Sequence, residues 1–440
     1  MKSDKRIWLW LLVWGFLDLL CASFCEIHAD EAYYRLYGQF LDWGYFDHPP
    51  MVGLMTALSA ILVPGTSLIL KNLSVRLVTV LVHMATVWVV WKTVLLTEHR
   101  PATPDRRQTD LLCRLLLVAL SLPLFCAYGF ITTPDVPLLF FAALFYYAYR
   151  RYVQEKSWMM TILLGLSMAG MLYSKYIAVL VIGLTVLGNW RLLREGKAWT
   201  AVGVAALLML PHLWWQYSNA FPSFTYHFVS RATAYQALYS LEFIPNQWAV
   251  FNPVVWALMA WLSVRYIHTG DAFKRSVGVT FLGMQVFFFL MTFRGHVEPH
   301  WTVVMSIPTI VLLTEEEDVW RKGVKIALGV CAGILLPARI ILMLNMLPAQ
   351  TGLAHKQQQI AVIHSEAQGR PVVFDGSFQT PSLYRFFYDD QAVLVRNRYD
   401  RYTQFDIWHL EREWLGKPAC VRRKGQVYST NQLTEEDLSE

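Results

Sequence analysis

The chain has 440 residues, of which 55% are hydrophobic and 16% charged, with 18 tryptophans. That balance excludes an ordinary soluble domain and makes a bilayer the expected solvent. The formal net charge of +6 does not call for a nucleic-acid partner, because a basic membrane protein carries its surplus in the loops of one side.

The first apolar run, Ile7 to Cys25, follows Lys2, Lys5 and Arg6. It is long, lacks a small-residue cleavage site and precedes many similar runs, so it reads as a retained span. An external segment, 26–72, comes next and opens with DEAYYRLYGQFLDWGYFDHPP (30–50). Tyr33, Leu36, Tyr37, Phe40 and Leu41 recur at helical spacing and predict a juxtamembrane helix lying along the interface. Asp30 is expected as its N-cap with Glu31 in the first turn, Gly44 as its end, and Pro49-Pro50 as the return toward the membrane. Asp30, Glu31, Asp47 and His48 then have two readings. They are a cap, a dipole partner and wet loop residues, or they are a general base and substrate ligands held beside aromatic walls.

Further apolar runs centre near residues 85, 121, 142, 166, 183, 207, 257, 285, 307 and 335, giving about eleven spans in all. Alternate connections hold the basic residues: Arg100, Arg106 and Arg107; Arg150, Arg151 and Lys156; Arg191, Arg194 and Lys197; Arg265, Lys274 and Arg275; Arg321, Lys322 and Lys325. The positive-inside rule therefore places the N-terminus in the cytoplasm. The polar clusters at 30–50, TTPD (132–135), SKY (174–176), the aromatic loop 218–247 and RGHVEPHW (294–301) fall on the other face, where they are expected to line one external cavity. Asp18 and Arg339 are the ionisable exceptions inside apolar runs.

Lys175 lies between two apolar runs, where an ammonium needs a partner; it is either a snorkelling span end or a ligand for a lipid-borne phosphate. Arg231 and Arg294 are the other cations suited to a phosphate. Asp135, between Pro134 and Pro137, is a helix cap or a substrate ligand. His296, Glu298 and His300 could face one way on an extended backbone and hold a divalent metal, although the usual zinc spacings are not matched. The six cysteines are scattered and show neither a metal pattern nor a disulfide framework.

From residue 347 the composition turns polar. PVVFDG and AVLVRN read as strands, and His355 to Gln368 as a helix. The expected architecture is an all-α polytopic membrane protein, 1–346, followed by a small α/β domain, 347–440, on the outer face.

DEAYY…LDWGYFDHPPM resembles the first external loop of integral-membrane glycosyltransferases of the GT-C superfamily, in the branch of protein O-mannosyltransferases and the aminoarabinose transferases that modify lipid A. ITTPDVPL (131–138), SKY and EPHW (298–301) extend the resemblance, in order, through residue 315. It implies a polyprenyl-phosphate sugar donor, inverting transfer at the extracytoplasmic face of a bacterial-type inner membrane, and an acidic residue of the first loop at the reaction centre. Asp30 and Glu31 are the matching positions. The acceptor, whether lipid A, another glycan or a protein, is left open. The competing class is a lipid-linked sugar flippase or transporter without transferase activity, which would place charges at mid-bilayer and on both sides.

Overall fold

The structure, a computed structural model, describes residues 2–97, 104–226, 234–388, 392–394, 402–423 and 425–439. Its helices are α1 (Lys2–Phe24), α2 (Ala29–Gln39), α3 (Met51–Leu62), α4 (Leu68–Leu95), α5 (Pro104–Leu120), α6 (Pro123–Ala127), α7 (Asp135–Glu155), α8 (Trp158–Ser174), α9 (Ala178–Gly188) and α10 (Gly196–Ser218). They continue with α11 (Pro222–Thr225), α12 (Ala237–Phe251), α13 (Pro253–Tyr266), α14 (Ala272–Met291), α15 (Ser306–Glu315), α16 (Lys322–Met343), α17 (Lys356–Ala367) and α18 (Gln379–Tyr388).

Each expected span centre falls on or beside a helix. Among the described residues, however, only five helices are long and apolar enough to cross a bilayer, or six if the pair α12 and α13 counts as one bent span. Pattern reading counts apolar runs, and several runs here are shorter than the ~20 residues a crossing needs: α9 has 11 residues and α15 has 10. The bend between α12 and α13 is 102°. Asn252 adopts φ 56° there, its side chain accepts from the N–H of Val255, and Pro253 opens the next helix. α12 also occupies part of the segment expected as the loop 218–247. The chain is a multi-pass membrane protein.

By contacts the chain divides into two compact units. The first comprises Met1–Leu19, Thr79–Phe130 and Pro134–Ala338. In it α7 packs on α8, α8 on α10, and α14 on both α9 and α13. Gly188 lets α9 approach α14 closely: a Cβ there would stand 2.4 Å from Cα of Ser276, the small-residue contact common between membrane helices. Asp18 is not an isolated charge, since its Oδ2 lies 3.0 Å from Nδ1 of buried His83.

The second unit comprises Leu20–Val78, Ile131–Thr133 and Arg339–Glu440. Its four-stranded sheet has the order β2-β1-β3-β4, with β1 (Val372–Phe374), β2 (Ala392–Leu394), β3 (Ala419–Arg423) and β4 (Gln426–Thr430). β1 runs parallel to both neighbours, pairing Val373 with Val393 and Val421, whereas β3 and β4 are antiparallel. The strands expected in PVVFDG and AVLVRN are β1 and β2, and the expected tail helix is α17.

The helical period of 30–41 is real, but its apolar face has a different partner from the one expected. Tyr33, Leu36 and Tyr37 are buried in one core with Ile360, Phe374, Phe378, Tyr384 and Phe405 of the tail. Tyr33 lies 4.4 Å, centroid to centroid, from Phe378, and Tyr37 stacks on Tyr45 at 3.9 Å. Such pairs add about 0.5–1.5 kcal/mol each beyond the area they bury. An α2 laid on lipid could not gather them. The helix also stops at Gln39, with Phe40 as C-cap, short of Gly44.

Candidate active site

The turn into α2 is built from His28, Asp30 and Glu31. His28 is extended and serves as the N-cap, so Asp30 is not the cap but a first-turn residue. The N–H of Asp30 donates to Nδ1 of His28 at 3.3 Å, and the N–H of His28 donates to Oε2 of Glu31 at 2.9 Å. This reciprocal arrangement satisfies helix-terminal donors that would otherwise be orphaned. Burial holds the His28 imidazole below its ordinary pKa, with Asp30 pulling the other way.

Glu31 is completely buried. Its Oε1 accepts from Nε of Arg76 at 2.7 Å and from the N–H of Thr132 at 2.8 Å. Its Oε2 accepts from Nη2 of Arg76 at 2.6 Å, in addition to His28. The remaining Arg76 donors reach the carbonyls of Ala22 at 3.3 Å, Cys25 at 2.7 Å and Glu26 at 2.9 Å. All five guanidinium N–H groups are thus directed at oxygen, two of them at carbonyls at the end of α1. Burial pushes the Glu31 carboxyl up, but the charge and hydrogen bonds of Arg76, followed by the Thr132 and His28 N–H groups, hold it below the ordinary value. With its oxygens committed in this way, Glu31 is poorly placed to take a proton from a substrate. The neighbouring Asp30 side chain is 38% exposed, with Oδ2 3.6 Å from Nδ1 of His28.

Asp47 and His48, expected as substrate ligands, contact neighbouring aromatic residues. Oδ2 of buried Asp47 accepts from the hydroxyls of Tyr33 at 2.9 Å and Tyr37 at 3.2 Å. The Tyr33 hydroxyl in turn accepts from the N–H of Gln404 at 2.7 Å. His48 packs edge-on against Tyr34, with ring centroids 5.7 Å apart.

In the first unit, Nζ of Lys175 donates to both carboxylate oxygens of Asp135 at 2.9 Å. Both side chains are buried, and Tyr128 adds a further hydrogen bond to the Asp135 carboxylate. Lys175, expected to meet a phosphate, and Asp135, expected to meet substrate, therefore meet each other. This is the pairing that an ammonium at that depth requires. Arg294 is exposed in the turn after α14. Arg231 lies outside the described residues.

Among the described residues no group of three His, Cys, Asp or Glu side chains is arranged to hold a metal ion. His296 Nδ1 lies 3.3 Å from Glu298 Oε1, but a 3-10 turn, Pro299–Met305, begins directly afterwards. His300 is on that turn, so the extended alternation that would align it with His296 and Glu298 is lost.

Sequence reasoning missed Arg76 and His28. Arg76 carried a usable signal, a lone arginine within the apolar stretch Leu68–Leu95, where an ionisable group should be expected to have a partner. The buried pair of Arg150 with Glu315 was missed as well, Nη2 to Oε2 being 3.1 Å. In sequence Arg150 looks like an ordinary loop charge.

Comparison with known proteins places this geometry. Residues 47–215 match the family described as dolichyl-phosphate-mannose-protein mannosyltransferase. The lipid A galacturonosyltransferase RgtD of Rhizobium johnstonii is 29% identical over 355 residues, covering 75% of this chain and 70% of its own. The crystal structure of ArnT from Cupriavidus metallidurans in the apo state superposes with a TM-score of 0.69 over 96% of this chain and 93% of its own, at 13% identity. The structure of the same protein bound to undecaprenyl phosphate gives 0.64 over 95% and 92%, at 15% identity. The chain is an integral-membrane glycosyltransferase. These likenesses agree with the resemblance to GT-C enzymes read from the sequence, and the non-enzymatic flippase reading is set aside.

Proposed function

We propose that this enzyme moves a sugar from a polyprenyl-phosphate donor to lipid A or a related envelope acceptor, with inversion, and that Asp30 is the base. The acceptor hydroxyl oxygen attacks the anomeric carbon, the bond from that carbon to the phosphate oxygen breaks, and the polyprenyl phosphate leaves. The hydroxyl proton passes to the Asp30 carboxylate. Glu31 and Arg76 act through position: they fix the start of α2 so that Asp30 is presented in one orientation.

The observation that carries this reading is the contrast between adjacent carboxylates. Glu31 is sealed in a clamp of four N–H donors, while Asp30 in the same turn is partly open. The galacturonosyltransferase relative, named for lipid A, supports the choice of acceptor. ArnT, solved with undecaprenyl phosphate, supports the donor class. The one-sided basic connections support a cytoplasmic N-terminus and a reaction at the outer face of a bacterial-type inner membrane.

The test is transfer by purified, reconstituted protein supplied with undecaprenyl-phosphate sugars and with lipid A, a glycan or a peptide. The expected product is lipid A heavier by one sugar residue, with the new linkage inverted relative to the donor. Mass addition to peptide alone would refute the acceptor assignment. No addition to any acceptor from any polyprenyl-phosphate sugar would refute the donor.

A further inference from the structure

The helices α7, α8, α9 and α10 of the first unit do not close fully against one another. α9 has only 11 residues, ~16 Å of helix, and the chain leaves it through a 3-10 turn, Trp190–Arg194. Beside that turn lies a half-open crevice of about 520 Å³, within the range of roughly 300–1,000 Å³ that ligand clefts occupy. Phe145, Leu164, Met168, Ile182 and Val202 are among the side chains on its walls. The two hydroxyls there are already engaged: Tyr149 pairs with Oγ of Ser276 at 2.7 Å, and Thr185 donates to the carbonyl of Val181 at 2.8 Å. The walls therefore suit a hydrocarbon chain and ask for no polar partner.

The rim has the opposite character. In a 3-10 turn the side chains at i and i+3 fall in line, which puts Arg191 and Arg194 on one face, both exposed. The Arg194 guanidinium lies 4.7 Å from the ring centroid of Trp190, and Nζ of Lys197 lies 5.0 Å from that of Trp158. Glu195, the acid of this connection, is taken: it accepts from Nζ of Lys156 at 2.8 Å and from the Tyr152 hydroxyl at 2.7 Å. Among the described residues no carboxylate pairs with Arg191, Arg194 or Lys197. Trp158, Trp190 and Trp199 are exposed around them, as rings at headgroup level are.

We propose that this crevice binds an anionic phospholipid of the bilayer, with one acyl chain between α7, α8, α9 and α10 and the phosphodiester held by Arg191 and Arg194 beside Lys197. The surplus of positive charge selects a net-negative headgroup over a zwitterionic one, and the apolar walls select a lipid over a soluble phosphate. The connection belongs to the basic set that the positive-inside rule assigns to the cytoplasm, so the lipid comes from that leaflet. The site uses none of the residues given to the transfer reaction.

The test uses full-length protein in phosphatidylcholine vesicles containing phosphatidylglycerol that carries a photoactivatable diazirine in one acyl chain. Irradiation should label residues 164–168 and 198–202, and unlabelled phosphatidylglycerol should compete where phosphatidylethanolamine does not. The double variant Arg191→Gln/Arg194→Gln should lower this labelling about tenfold or more. Ala198→Phe, which narrows the crevice and leaves the rim charges in place, should lower it as well. Labelling elsewhere only, or labelling as strong in both variants as in wild type, would overturn the site. Equal competition by phosphatidylethanolamine would overturn the role of the arginines, and displacement by undecaprenyl phosphate at lower concentration than by phosphatidylglycerol would overturn the choice of occupant.

Discussion

Arg76 and Glu31, 45 residues apart in sequence, form a closed pair at 2.7 and 2.6 Å in which every guanidinium proton and both carboxylate oxygens are engaged. The pair joins the end of α1, the start of α2 and the first third of α4. Removing one partner leaves an uncompensated buried charge, which costs about 3–5 kcal/mol. Arg76→Met and Glu31→Gln should each destabilise the folded protein by that order, and the double variant by clearly less than their sum. Denaturation of the three variants in one detergent checks this; additive losses would show that the two groups do not act together.

The same pair sets an acid sensitivity. The folded Glu31 carboxyl lies below its reference value of 4.5, so between the two values the unfolded chain binds the extra proton. The stabilisation is complete above about pH 4.5 and is lost as pH falls through the lower, folded value. Melting temperature measured from pH 7 downward should hold until about pH 4.5 and then decline. Glu31→Gln should start lower and be flatter through that window. A variant as steep as wild type would assign the acid sensitivity to other groups.

Lys175 and Asp135 present a parallel case in the first unit. Asp135→Asn leaves the ammonium buried and should cost about 3–5 kcal/mol. Adding Lys175→Met to it should recover part of the loss rather than deepen it. Thermal melting of single and double variants decides between an internal pair and a lysine whose main partner is a ligand. In the second case Lys175→Met would raise the donor KM with little change in melting.

Tyr33 links the opening motif to the tail by donating to Asp47 and accepting from the N–H of Gln404. Tyr33→Phe leaves the buried Gln404 N–H without this acceptor and takes from Asp47 one of its two tyrosine donors, a loss of about 1–3 kcal/mol. Limited proteolysis should show faster cleavage of the tail in this variant, and unchanged cleavage would mean that aromatic packing alone retains it.

Much of this was legible in the sequence for physical reasons that can be named. Apolar runs betray helices, so every span centre falls on or beside one, but they do not betray the bend between α12 and α13 or where α9 and α15 end, so counting runs does not give the number of helices long enough to cross. The period of Tyr33, Leu36 and Tyr37 was correct, whereas its partner was not, because a period fixes a face and not what covers it. Partners distant in the chain were hidden for the same reason: nothing local ties Glu31 to Arg76 or Lys175 to Asp135. The extended backbone assumed for His296, Glu298 and His300 was not legible either, since a 3-10 turn begins at Pro299.

The division of labour between the two adjacent acids is tested most directly by the turnover of reconstituted Asp30→Asn at saturating donor and acceptor. Transfer should fall by about 10²–10⁴, with melting temperature and donor binding as in wild type, since Asp30 is outside the clamp. Wild-type turnover in that variant would contradict the account.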